Sequence, residues 1–211
     1  MLTLDHLTVI APTLSEGVAH VHDCLGLQIP FGTRHLYMGT HNHRLQLGHG
    51  VYLEIVASDP EGVAPNRARW FGLDDAAQIR EDWESGKRLR GWVAATASID
   101  TLVAEHPEFG EVVPLPFIKP EFAFAIPIDG SLPKNGALPS LIDHWNDPTE
   151  MSEIPDFGAK LISFTLQHPE PESLLTAYAE LQIDRPPSVQ FGPELRYQAE
   201  IRTIEGVRIL W

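Results

Sequence analysis

Two stretches of strict alternation, one on either side of a single capped helix, constrain this chain most. In LTLDHLTVIA, Leu4, His6, Thr8 and Ile10 share one face of an extended strand, and Leu7, Val9 and Ala11 share the other. In VYLEIVAS, Tyr52, Glu54 and Val56 oppose Val51, Leu53, Ile55 and Ala57. Between them, Thr13 with Glu16 three positions on forms a capping box. Leu14, Val18, Val21 and Leu25 make one helical stripe, and Gly26 stops it. With GTHNHRLQLG as a further strand, the expected unit is βαβββ. Its apolar rows lie under the helix, and its mixed rows, carrying His6 and Glu54, face a concave side. A carboxylate there is costly unless it is paired, protonated or metal-bound.

The pattern returns along the chain, which predicts an α+β protein of repeated βαβββ modules forming a cupped mixed sheet. The first module covers 1–60. A linker over 61–90 has helical spacing at Ile79 and Trp83, with Gly86 near its end. The second module, 91–150, opens at GWVAATAS and continues through EVVPLPF, FAFAIPI and ALPSLIDHW. Prolines punctuate it, so its strands are short, at edges or bulged. A third, partial module over 158–211 opens at AKLISFTLQHP and closes with LRYQAEIRT and GVRILW. Either the second or the third module could complete the cup begun by the first.

Composition narrows the class. The 211 residues are 43% hydrophobic and 21% charged, in the range of a globular protein with ample core. No apolar run reaches the length of a membrane span, and the strand-like opening MLTLDHLTVI suggests no signal peptide. A net charge of −14 argues against nucleic acid, whose phosphates require a basic surface. The lone Cys24 excludes an internal disulfide, fits a cytoplasmic location and is expected to pack. Nucleotide-binding glycine loops, a CxxC pair and a GxSxG elbow are absent. The expected partners are a small molecule and, at most, a second copy of the chain as a homodimer, with neither nucleic acid nor membrane.

Each candidate residue has a structural reading beside the functional one. His6 and Glu54 are either a metal pair, an acid/base pair or a satisfied core pair; Glu54 could also pair with Arg34 or Arg67. Thr40, His41 and Asn42 follow Gly39, whose freedom permits close backbone approach, and are candidates for binding a polar substrate group at the cavity mouth. His20 and His22 lack the four-residue spacing of a zinc pair and are assigned to the surface. His35, His49, His106 and His168 flank turns and are expected in solvent. Asp143 and His144 are the candidate contribution of the second module.

LDHLTVIAPTLSEGVAHVHDCLG, followed by MGTHNHRLQLG and YLEIVASDP, resembles the glyoxalase-like branch of the vicinal oxygen chelate superfamily. ARWFGLD and GALPSLIDHW are similar to it as well. The resemblance implies paired βαβββ modules around a pocket and a divalent ion, Mn²⁺, Fe²⁺, Ni²⁺ or Zn²⁺, that chelates adjacent substrate oxygens. It places His6 and Glu54 as metal ligands, with Glu54 also as the catalytic carboxylate. It implies lyase, isomerase or dioxygenase chemistry, or else a metal-free protein that sequesters a small molecule. The matching ligands of the second module are not visible, for Trp92 lies near the expected His and Leu141 and Ile142 near the expected Glu.

Overall fold

A computed structural model describes residues 1–145 and 149–211. The first module runs β1 (Leu2–Ile10), α1 (Leu14–Leu25), β2 (Phe31–His35), β3 (Thr40–Gln46) and β4 (Tyr52–Ser58). Helix α2 (Ala76–Glu84) crosses to the second module: β5 (Leu89–Ala95), α3 (Ile99–Glu105), β6 (Glu111–Leu115), β7 (Phe122–Ile126) and β8 (Ser140–Asp143). The chain ends with β9 (Lys160–His168), α4 (Pro171–Glu180), β10 (Ile183–Asp184), β11 (Ser188–Phe191), β12 (Arg196–Thr203) and β13 (Gly206–Leu210).

The first two modules form one curled, nine-stranded mixed sheet of order β2-β3-β4-β1-β5-β8-β7-β6, with β10 beside the start of β1. Each module has the same internal plan. Its first strand pairs in parallel with its last, β1 with β4 and β5 with β8, and its middle strands continue outward. The modules meet where β1 and β5 pair antiparallel. The second module therefore completes the cup. The final segment builds a separate four-stranded sheet of order β11-β9-β12-β13. There β9 lies between β11 and β12 rather than beside the last strand, so this segment repeats the order of elements but not the module's pairing.

From His6 onward the pleat sorts the side chains as the alternation predicts, whereas Leu4, expected on the His6 face, joins Leu7 and Val9 in the main core because β1 is bulged between Leu4 and His6. Leu7, Val9, Ala11, Leu53 and Ile55 lie in a core shared with Val21 and Leu25 of α1 and with Leu166, Tyr178 and Ile201 of the last segment. The opposite rows enter a second cluster on the concave side, where Ile10, Val56, Val93, Phe124 and Ile142 meet Trp70 and Phe71 of the linker. Thr13 caps α1, its hydroxyl accepting from the Glu16 amide, and Gly26 ends it in the left-handed region.

His20 departs from expectation. It is buried under the last segment, with Nε2 2.8 Å from the Trp211 carbonyl and Nδ1 2.9 Å from Arg88. The reason is tertiary: β13 covers this flank of α1, and a helix considered alone carries no sign of a neighbour nearly two hundred residues later. His22 stays half exposed. Cys24 is half-buried against His20.

Candidate functional site

Strands β1 and β4 bring His6 and Glu54 to the floor of a 680 Å³ cavity on the concave face. The His6 Nε2 and Glu54 Oε2 atoms are 3.5 Å apart, both side chains being buried. Asn42 on β3 joins them from the same face, its amide donating to Glu54 Oε1 at 2.7 Å while its oxygen accepts from the Thr33 amide at 2.8 Å. The His6 ring stacks on Tyr52, its neighbour in the parallel β1–β4 register, with centroids 4.4 Å apart. Neither Arg34 nor Arg67 reaches Glu54: Arg34 pairs with Asp59 and Glu61, and Arg67 lies near Glu111.

The cluster also holds Asp5, which the sequence did not mark as a candidate, and His35, which it placed in solvent. Asp5 Oδ1 accepts from His6 Nδ1 at 2.6 Å, and its other oxygen lies 3.0 Å from His144 Nε2. Regular alternation would send Asp5 and His6 to opposite faces. Against β5, however, Leu4 pairs with Ala94 and His6 with Val93, so Asp5 is an extra residue in a bulge that turns both side chains to one side. His35, expected in solvent, lines the cavity with Nδ1 3.0 Å from the Thr40 hydroxyl. It closes a hairpin against β3, and that pairing draws it inward.

The three consecutive candidates of β3 separate. Asn42 reaches the cavity. Thr40 shares its face but lies buried behind His35. His41 projects from the other face, with Nδ1 3.9 Å from Asp59, and lines no part of the cavity. A strand cannot present three successive side chains to one side, so the run THNH delivers Thr40 and Asn42 alone. Gly39 does use its positive φ, but the close approach it allows is to the Val63 carbonyl, where a Cβ would stand at 2.5 Å.

The charges of this cluster follow from its partners. Burial acts against charge on His6, but the hydrogen bond to Asp5 and the ion pair with Glu54 prevail and raise its pKa to about 9. Burial pushes Asp5 up, yet His144 and His6 outweigh it and hold the carboxyl far below the usual carboxylate range. Glu54 is likewise raised by burial and lowered more by His6, His35 and Asn42. At neutral pH the floor is an imidazolium between two carboxylates.

The family model for the glyoxalase-like domain matches residues 4–182. The chain belongs to this glyoxalase-like family of the vicinal oxygen chelate superfamily. Among solved structures, it resembles a hypothetical protein from Staphylococcus aureus at 11% identity and a TM-score of 0.59, covering 93% of this chain and 88% of that one. That likeness is one of fold. Methylmalonyl-CoA epimerase of Streptomyces coelicolor in complex with 2-nitronate-propionyl-CoA aligns at 18% identity, a TM-score of 0.38 and coverages of 69% and 97%. The epimerase from Mycobacterium tuberculosis aligns at 15%, 0.37, 66% and 86%. No curated protein matches the chain.

The second half of the glyoxalase-like cup offers few metal donors. Val93, not Trp92, stands opposite His6 on β5; Trp92 points to the other core, edge-on to Phe164 and Tyr178. On β8, Ser140 and Ile142 face the concave side beside Val93 and Ala95. Among the described residues, no group of three or more His, Cys, Asp or Glu side chains is placed to hold an ion. His6 and Glu54 remain a two-member set, and their nitrogen and oxygen are engaged with each other. A three-ligand catalytic centre does not fit this donor set.

Proposed function

We propose that this glyoxalase-like protein binds a small oxygenated molecule with a planar, apolar body and moves a proton on it. The observation that carries the reading is the His6–Glu54 ion pair on the floor of the cavity, beneath Tyr37, Trp70 and Phe124. The apolar walls exclude water and hold the body of the ligand, while the few polar groups orient its oxygens. Asn42 occupies one oxygen of Glu54 and aims the other towards His6.

The pair suits tautomerisation beside a carbonyl. Glu54 Oε2 takes the proton from the carbon next to the carbonyl, and the two electrons of that C–H bond form the enol double bond. His6 Nε2 gives its proton to the carbonyl oxygen. Where the carbon that lost its proton bears a hydroxyl, Glu54 returns the proton to the former carbonyl carbon while that hydroxyl gives its proton to His6, which moves the carbonyl by one carbon and restores both groups. Loss of the His6 proton also removes the cation that holds the Glu54 pKa down, so the carboxylate becomes a stronger base as the reaction proceeds. A second reading is capture of the ligand without turnover, which the aromatic lining and the apolar Val93 and Ile142 favour.

Two measurements separate these readings from a metal-assisted one. Aryl-substituted α-hydroxyketones and 1,3-diketones in D₂O, followed by proton NMR, should exchange their enolisable hydrogens faster with the wild-type protein. Glu54→Gln should lose about 10²–10⁴-fold of that enhancement. Equal exchange by both proteins, with binding retained, would move the assignment to capture. Calorimetric titration with Mn²⁺, Ni²⁺ and Zn²⁺ should give no tight one-to-one isotherm. A tight isotherm lost in Glu54→Ala would replace both readings with a metal-assisted reaction.

A further inference from the structure

We infer that His144 is a positioning residue for His6, acting across the two modules through Asp5. The inference rests on the reading of His6 as the acid of the site, but its test needs no substrate. In the duplicated plan β8 corresponds to β4, the strand that carries Glu54. The second module places Val93 and Ala95 of β5 and Ser140 and Ile142 of β8 on the concave face, and its histidine comes one residue past the end of β8. From there His144 reaches back over β5 to Asp5 on β1.

Three contacts then leave the His6 ring one orientation. Asp5 holds Nδ1 at 2.6 Å, Tyr52 covers a ring face, and Nε2 is left to point at Glu54 and the cavity. Asp5 can do this because the bulge against β5 brings its side chain to the side of His6. A bulged carboxylate on a two-bond stem has rotamers of its own, and one oxygen bound to His6 does not fix them. The second oxygen, 3.0 Å from His144 Nε2, does. The second module thus acts on the His6 ring at one remove, through Asp5. His144 also lines the cavity and its side chain is 30% exposed, so a ligand entering the cup meets the residue that orients its acid.

The test is NMR of the ligand-free, full-length protein labelled with ¹⁵N in its histidines. The wild type should show one set of His6 ring signals, with a solvent-protected Nδ1 proton. In His144→Ala that proton should exchange about tenfold faster, or be lost, because its acceptor is no longer held from the far side. His144→Gln, which retains an N–H donor, should restore protection. Asp5→Asn should remove the wild-type signature whatever stands at 144, and it keeps the inference testable should His144→Ala not fold. Wild-type His6 signals in a folded His144→Ala, or in Asp5→Asn, would overturn the inference. So would failure of His144→Gln to rescue, which would make His144 a general structural contact. Absence of proton exchange on the diketone probes would leave these signatures unchanged and would overturn only the assignment of chemistry.

Discussion

His6 is buried and yet charged, and its two carboxylate neighbours are the reason. An unfolded histidine titrates near 6.5, whereas in the fold Asp5 and Glu54 carry His6 to about 9. A pKa raised by folding contributes stability that is fully present below the unfolded value and is lost as pH rises through the folded one. Asp5 and Glu54 are shifted down, so their contribution is present above the unfolded carboxylate values and is lost as pH falls through the depressed ones. Between pH 7 and 10 the urea stability of the wild type should therefore fall by on the order of 1–3 kcal/mol. In His6→Gln the decline should be much shallower. A wild-type midpoint that stays level across this range would mean that His6 is neutral in the fold.

At the scale of the element, helix α1 sets how the first strands lie. Gly17 faces the sheet, and a Cβ added there would stand 2.5 Å from Ile55 Cγ2 and 2.9 Å from Ala11 Cβ. Two effects of Gly17→Ala oppose each other. Helix propensity favours alanine by about 1 kcal/mol. Overpacking a filled core costs about 1–3 kcal/mol, and both neighbours are buried in the main cluster with nowhere to move. Contacts this short decide for overpacking, so Gly17→Ala should lose about 1–2 kcal/mol in urea unfolding. A gain in stability would mean that α1 stands further from β4 than these distances give. Because Ile55 adjoins Glu54, a shifted helix should also move the Glu54 carboxylate, which weakened binding of the diketone probes would register.

At the scale of the whole molecule, the small sheet is joined to the cup by a common core. Leu166, Ala199 and Ile201 belong to the same cluster as Leu7, Leu53 and Leu141. The hydroxyl of Tyr197 donates to the Gly136 carbonyl at 2.6 Å, and that of Tyr178 to the Ala137 carbonyl at 2.7 Å, pinning the turn that leads into β8. The sheets should therefore unfold together. Far-ultraviolet and near-ultraviolet circular dichroism should give coincident urea transitions. Tyr197→Phe, which leaves a buried carbonyl without its donor, should shift both by about 1–3 kcal/mol. Two separated transitions, or a shift in one signal alone, would show the sheets to be independent.

How much of this was legible before folding depends on how far apart the deciding contacts lie. The alternation of His6, Thr8 and Ile10, and of Tyr52, Glu54 and Val56, was enough to assign faces, because a regular pleated strand repeats every two residues; Leu4, expected on the same face, lies beyond the bulge and packs with Leu7 instead. Helix α1 could be read from its cap, stripe and stop for the same local reason. The placement of Asp5 could not, since a bulge exists only relative to the strand paired with it, here β5 some ninety residues later. Which residue faces His6 from the second module, Val93 rather than Trp92, is a matter of register, and a slip of one residue exchanges the two faces. His35, His20 and His144 likewise took their roles from partners supplied by pairing and burial. Sequence alone therefore determined the βαβββ plan and the faces that carry His6 and Glu54, through periodicity. Tertiary structure decided which charges meet on the floor of the cavity, because pairing, register and bulges are properties of two chain segments at once.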